Sequence, residues 1–149
     1  MKLDADYKVR GTLEINGAAV GAIDQMTMDG IESMASYLGS PYTNKRAWMQ
    51  FIGVGSDAVL PSTEDEHLYR EIYRKLGTPS SSQDAYIVHA RFNSNEPGAF
   101  YILRDVGIFN RIAGGLMAAR WVTDDDHYIN IGDEVDITCK IWIVSKVGE

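Results

Sequence analysis

The stretch FIGVGSDAVLPSTEDEHLYREIYRKLG, from Phe51 to Gly77, holds the residues most open to a chemical reading: two glycines closing an apolar run, then acids and a histidine. A dinucleotide-binding fingerprint needs G-x-G-x-x-G entering a helix, so that free backbone amides face a pyrophosphate. Here Ala58 stands where the third glycine belongs, Pro61 intervenes, and no lysine follows as in a phosphate-binding P-loop. No nucleotide cofactor is expected. Gly53 and Gly55 are expected to make a tight or φ-positive turn at a strand end, with Pro61 stiffening the approach to a helix capped by Ser62 or Thr63.

Nucleophilic catalysis needs a Ser, Cys or Thr beside a histidine that a carboxylate orients. The three histidines, His67, His89 and His127, have no G-x-S-x-G elbow beside them, and His89 falls in strand-like sequence. Cys139, the single cysteine, sits within VDITCKIWIV as a half-buried, inert thiol, and it excludes an intrachain disulfide. The segment TDDDHYINIGDEVD gathers Asp124, Asp125, Asp126, His127, Asp133, Glu134 and Asp136, hard ligands suited to calcium or magnesium. It lacks the glycine-centred register and closing glutamate of an EF-hand, so a solvated acidic hairpin connection is expected and no metal is assigned. No catalytic residue is assigned.

These residues must be positioned by a chain of 149 residues, enough for one domain with a core of its own. Hydrophobic content of 45% with 23% charged residues is that of a folded globular domain. A net charge of -7 with scattered Lys and Arg argues against nucleic-acid binding, which needs clustered cations to displace phosphate counterions. The start MKLDADYKVR has no apolar signal region, and no run has the length of a membrane span. A soluble protein made in the cytoplasm is expected.

Strand signals dominate. Lys8 to Ile15 meets Asn16-Gly17, a type I′ hairpin signal, and AVGAIDQM returns. The period then changes: Ile31, Met34, Ala35 and Leu38 mark one face of a helix that Thr27 or Asp29 caps and Gly39 stops. Arg46 to Val54 reads as a strand. Ser62 and Thr63 stand three residues before Asp65 and Glu66, a capping-box arrangement, and Leu68, Ile72 and Leu76 continue at helical spacing to Gly77 and Pro79. Glu64, Asp65 and Glu66 at one end and Arg74 and Lys75 at the other suit the helix dipole, so a second helix is expected. Gly77 to Asp84 reads as a surface loop.

A meander follows: Ala85 to Asn93, the turn SNEPG, Ala99 to Asn110, a glycine turn at Gly114 and Gly115, Leu116 to Val122, and Asp133 to Val144. In the last strand Val135, Ile137, Cys139, Ile141 and Ile143 share one face. The expected fold class is α+β, mainly β: an antiparallel sandwich or open barrel with two short helices. Residues 1–7 are expected to form an N-terminal arm and residues 8–149 a single β-rich domain.

Two stretches together resemble a known pattern. FIGVGSDAVLPSTEDEHLYREIYRK is similar to the I-x-x-G-x-G strand end, Pro, and L-x-x-E-x-x-R segment of small virion proteins of tailed bacteriophages. ILRDVGIFNRIAGGLMAARWV, Ile102 to Val122, resembles their second signature, with G-I/L-F-N/D before a glycine turn and an M-x-A-R strand. The chain departs from the pattern at Asp105, where a Glu at a neighbouring position is usual, which leaves the fold expectation intact and the subgroup open. The resemblance spans about Gly11 to Val144 and implies a structural part of a phage particle, made in the bacterial host.

Within that class, a capsid decoration (cement) protein is expected, binding the assembled head as a homo-oligomer such as a trimer. Its partners would be itself and the major capsid protein. The alternative is a tail, baseplate or tail-fibre accessory protein binding tail proteins. A further alternative from another class is a carbohydrate- or ligand-binding β module using Trp142 and Tyr128. The polar segment Met1, Lys2, Leu3, Asp4, Ala5, Asp6 and Tyr7 is the candidate interaction arm, reaching about 25 Å when extended.

Overall fold

The computed structural model describes residues 7–38, 48–82, 85–93 and 95–145. In chain order its elements are β1 (Tyr7–Ile15), β2 (Ala18–Ile23), α1 (Met28–Leu38), β3 (Phe51–Gly55), β4 (Glu71–Leu76) and β5 (Thr78–Ser82). There follow β6 (Ala85–Phe92), β7 (Tyr101–Phe109), β8 (Met117–Ile129) and β9 (Val135–Ser145). The strands form two antiparallel sheets, one of five in the order β2-β1-β9-β6-β5 and one of four in the order β4-β3-β7-β8. The protein is mainly β.

One apolar core joins both sheets. The five-stranded sheet sends in Leu13, Val88, Phe92, Ile137 and Cys139, and the four-stranded sheet Ile52, Val54, Leu103, Ile108 and Trp121. The expected inward face of the last strand is observed from Val135 to Ile141; the Ile143 side chain lies outside the described residues. The β1–β2 turn is the hairpin its sequence calls for, with φ of 52° at Asn16 and 84° at Gly17. Asn16 also ties that turn to β9: its amide donates to the Asp136 carbonyl at 2.8 Å and its side-chain oxygen accepts from the Asp136 amide at 2.9 Å.

The first helix forms where its apolar spacing places it, and Thr27 is its cap: the Gly30 amide donates to Thr27 Oγ1 at 2.9 Å. The stop expected at Gly39 lies outside the described residues. A bulge in β8 fixes the docking of α1. Ile108 pairs with Ala119 and Phe109 with Met117, which leaves Ala118 out of register and frees its carbonyl to accept from the Thr27 amide at 3.0 Å. Thr27 Oγ1 in turn donates to the Met117 carbonyl.

Four expectations are corrected. No second helix forms: residues 62–70 are irregular and Glu71–Leu76 is β4, antiparallel to β3. Ile72 and Tyr73 favour extended backbone, and β3 would otherwise present an open edge. The register shift between Val54 and Gly55 skips Ile72, so Glu71 and Arg74 lie on one face three residues apart, a spacing that a regular strand does not give and that mimics a helix. Thr78–Ser82 of the expected surface loop is an edge strand paired with β6. The acidic segment from Asp124 continues β8 to Ile129, which confines the connection to residues 130–134. Tyr7, counted with the arm, opens β1 opposite Ser145.

The closest backbone approach is at Gly30, where an added Cβ would lie 2.6 Å from the Ala118 Cα and against its carbonyl. Gly30→Ala gains helix propensity yet is expected to destabilise by roughly 1–3 kcal/mol, because backbone and not a flexible side chain blocks the methyl. Urea unfolding should show a lower midpoint at unchanged slope.

Candidate functional site

Side chains alternate along a strand, so the G-x-G of Gly53 and Gly55 puts both glycines on one face of β3. Gly107 pairs with Gly53 across the ladder and Asp105 with Gly55, so the four lie together on the face turned away from the five-stranded sheet. A Cβ at Gly53 would meet the Phe109 ring at 2.8 Å, and one at Gly107 the Met117 sulfur at 2.8 Å. At Gly55 it would strike the Asp105 carboxylate. Neither Gly53 nor Gly55 has positive φ, which corrects the expected turn: they make a trough inside a strand. Residues 56–70 lie over it, with Leu68 packed on Phe109 and Met117 as a small second core.

Arg120 pairs with Gly107 in the ladder and enters this trough with no exposed side-chain surface. Its Nε donates to Asp105 Oδ2 at 2.8 Å, and Asp105 is equally buried. Nη1 donates to the Val59 carbonyl at 2.7 Å and Nη2 to the Asp57 carbonyl at 3.1 Å. The Asp65 carboxylate stands 3.5 Å from Nη1 and that of Asp57 3.8 Å from Nη2. Asp65 is buried, takes the Ser62 amide at 2.9 Å and accepts from Tyr69 Oη at 2.9 Å. Asp65 thus makes its half of the capping box, while Ser62 Oγ accepts from the Glu64 amide at 3.1 Å and the Asp65 amide goes to the Ser62 carbonyl at 3.2 Å, with no helix following. Thr63 contributes its carbonyl, which accepts from the Met28 amide at 2.8 Å, and the Pro61 carbonyl accepts from Gln25 at 3.2 Å.

A second guanidinium stands in the same cross-strand row, since Gly53 pairs with Arg74 and with Gly107, and Gly107 with Arg120. Arg74 is bidentate to Glu71, at 2.9 and 2.6 Å, and lies 3.4 Å over the Phe109 ring. Its Nη1 donates to the carbonyls of Arg111 and Gly114 at 2.9 and 2.7 Å. The β7–β8 turn closes with Gly114 and Gly115 at φ of 62° and 74°, and Asn110 accepts the Leu116 amide at 2.7 Å.

The residues weighed for chemistry do not converge. His89 and Arg91 share Asp136 on the surface of the five-stranded sheet, at 3.1 and 2.9 Å. Arg91 holds the Asp136 carboxyl below its ordinary value. His67 lies edge-on to Tyr69, and His127 is half-buried in β8 opposite Leu103. Cys139 is enclosed in the core, and burial pushes its thiol well above the ordinary range. Among the described residues no group of three or more His, Cys, Asp or Glu is arranged to hold a metal ion. Asp126 is taken up by Arg104 at 3.3 Å.

Tyr128 is exposed and stacks on Phe100 beside an open cleft of about 510 Å³ lined by Asn16, His127 and Glu134. Trp142, its expected partner, belongs to β9 of the other sheet. Tyr101 is buried, and its hydroxyl is pushed up to about 12 by burial first and by Asp133 second. It therefore stays protonated at neutral pH.

Of the sequence-assigned residues, Gly53, Gly55, Pro61, Ser62 and Thr63 line or cover one trough, while Gly114 and Gly115 close the turn beyond it. Met1 to Asp6 lie outside the described residues. In the sequence Arg120 stands only as a letter of the second signature and Asp105 only as the departure from it. The signal for them was an arginine in the apolar strand LMAARWV, where a buried charge demands a carboxylate partner. Comparisons with protein-family models, with curated proteins and with solved structures found no match to this chain. No helix among the described residues is long and apolar enough to cross a membrane.

Arg120→Ala should cost about 3–5 kcal/mol in urea unfolding, since it strands buried carboxylates. A pH signature accompanies it. Burial pushes Asp105 above the ordinary carboxylate range, against the pull of Arg120. From the unfolded value of about 3.9 up to the raised folded value, the native state keeps a proton that the unfolded chain has lost, so stability falls as pH rises through that window. Asp105→Asn should flatten the slope there; an unchanged slope in closely spaced urea titrations would contradict the assignment.

Proposed function

We propose that this protein is a structural component of a tailed-phage particle, acting by binding and not by catalysis. The supporting observation is that the two separated signatures of the phage resemblance meet as one physical unit. Gly53, Gly55, Leu68 and Arg74 of the first stretch, the last held by Glu71, interlock with Asp105, Phe109, Met117 and Arg120 of the second. Every one of these residues has a packing or pairing partner, and none is left facing a cleft as a reacting group. The pattern is that of a fold-specifying motif. We further read the two sheets as the faces of a sandwich, because each gives its apolar side to one shared core.

Within the particle, the reading favoured is a head decoration protein that associates as a homo-oligomer on the assembled capsid. A net charge of -7 keeps such a chain soluble before assembly. A tail or baseplate location is the competing outcome. Mass spectrometry of purified particles of the phage that carries the gene should find the chain, and co-sedimentation with empty heads but not with isolated tails should place it on the head. Its absence from the particles would overturn the proposal.

Since β1 begins at Tyr7, deletion of Met1 to Asp6 leaves the first strand whole. The truncated protein should melt as the full chain does and bind particles more weakly. Unchanged binding would remove the arm, about 20 Å long when extended, from the interface.

A further inference from the structure

Two loop tips share an arrangement that the proposed function does not use. Each exposes apolar side chains, and each has its own backbone clamped by an arginine already paired to a carboxylate. At one end of β3, Val59 is 57% and Leu60 79% exposed, while Arg120 holds the carbonyls of Asp57 and Val59. At the other end, Ile112 is 57% and Leu116 37% exposed, while Arg74 holds the carbonyls of Arg111 and Gly114. Scattered surface apolar residues need no explanation. A tip whose conformation is fixed from beneath is different, because little loop ordering remains to oppose binding.

The two loops leave the sheet at opposite ends of β3. Gly55 leads into the first, and Phe51 pairs with Phe109, which leads into the second. The five residues of β3 set these two exit points about 14 Å apart. Their charges also differ in sign. Around the Leu60 tip, exposed Glu64 and Glu66, with Asp29 beside Met28, outweigh Arg70. At the Ile112 tip, the exposed Arg111 is the adjacent charge, while Arg74 is matched by Glu71.

We propose that copies of this chain associate head to tail, the acidic Leu60 tip of one docking on the Ile112 tip of the next with Arg111 toward Glu64 and Glu66. Because the two surfaces differ, the contact is heterologous, and the assembly proposed is a ring such as a trimer, which requires that the rotation between copies close and not run on as an open filament. Opposite local charges set the register between chains that otherwise repel through their like net charge. The inference rests on the homo-oligomer reading above and specifies its interface.

The test is sedimentation velocity with the full chain, Leu60→Asp and Ile112→Asp. Circular dichroism checks that both exposed substitutions keep the fold, and Arg111→Glu serves as a second, milder variant expected to weaken association at low salt. The full chain should form a closed oligomer and each Asp variant a monomer. Mixing the two variants should yield a species of two chains, since each retains the tip the other has lost. An oligomer that survives both substitutions would overturn this interface and leave the homo-oligomer reading standing. Variants that are monomeric yet do not pair on mixing would show a symmetric contact and overturn it as well. A full chain that is monomeric at every concentration would remove the homo-oligomer reading itself, and this inference with it.

Discussion

A guanidinium with no exposed surface must find its charge balance and its hydrogen-bond acceptors inside the protein, and Arg120 imposes that constraint on everything around it. Asp105 answers it from the neighbouring strand. The carbonyls of Asp57 and Val59 answer it from the loop, which is thereby drawn down onto the sheet. That approach is open only because Gly53, Gly55 and Gly107 leave the sheet surface bare where the loop and the Phe109 ring must lie. Once the loop is down, Asp65 and Leu68 are buried, the chain emerges at Glu71 with an extended backbone, and β4 covers the edge of β3. Charge, glycine spacing and strand order are consequences of one another.

Much of the fold was legible because local rules and tertiary demands agree there. The Asn16-Gly17 turn, the Thr27-capped helix and the alternation from Val135 to Ile141 each obey a period or a cap that packing then reinforces. The second helix fails for a specific reason. Asp65 does accept the Ser62 amide as in a capping box, but Ser62 Oγ takes the Glu64 amide, Asp65 is also held near Arg120, and Leu68 is drawn into the glycine trough. The Leu68, Ile72 and Leu76 spacing that reads as helical falls on an irregular segment and then on a strand with a bulge at Ile72. No window of a dozen residues contains the pairing partner that decides between the two.

The trough was only half legible. The glycines were visible, but whether G-x-G marks a turn or one face of a strand depends on what packs against it, and that lies fifty residues away at Asp105 and Gly107. Arg120 was visible as a charge in an apolar run, without any indication of which of the 21 acidic residues would meet it. The resemblance had linked the two stretches by order alone. Contact between them supplies the physical reason why they occur together, and it assigns the shared letters to holding the fold.

The central claim is that Arg120 and Asp105 form one coupled unit on which the loop and the four-stranded sheet both depend. A double-mutant cycle with Arg120→Met, Asp105→Leu and the combined variant, followed by urea unfolding, measures that coupling directly. Each single change should be strongly destabilising, and the pair together should cost less than their sum by at least about 1.5 kcal/mol, because the second substitution removes the charge the first left stranded. Additive losses would mean that the two side chains act independently, and would contradict the account.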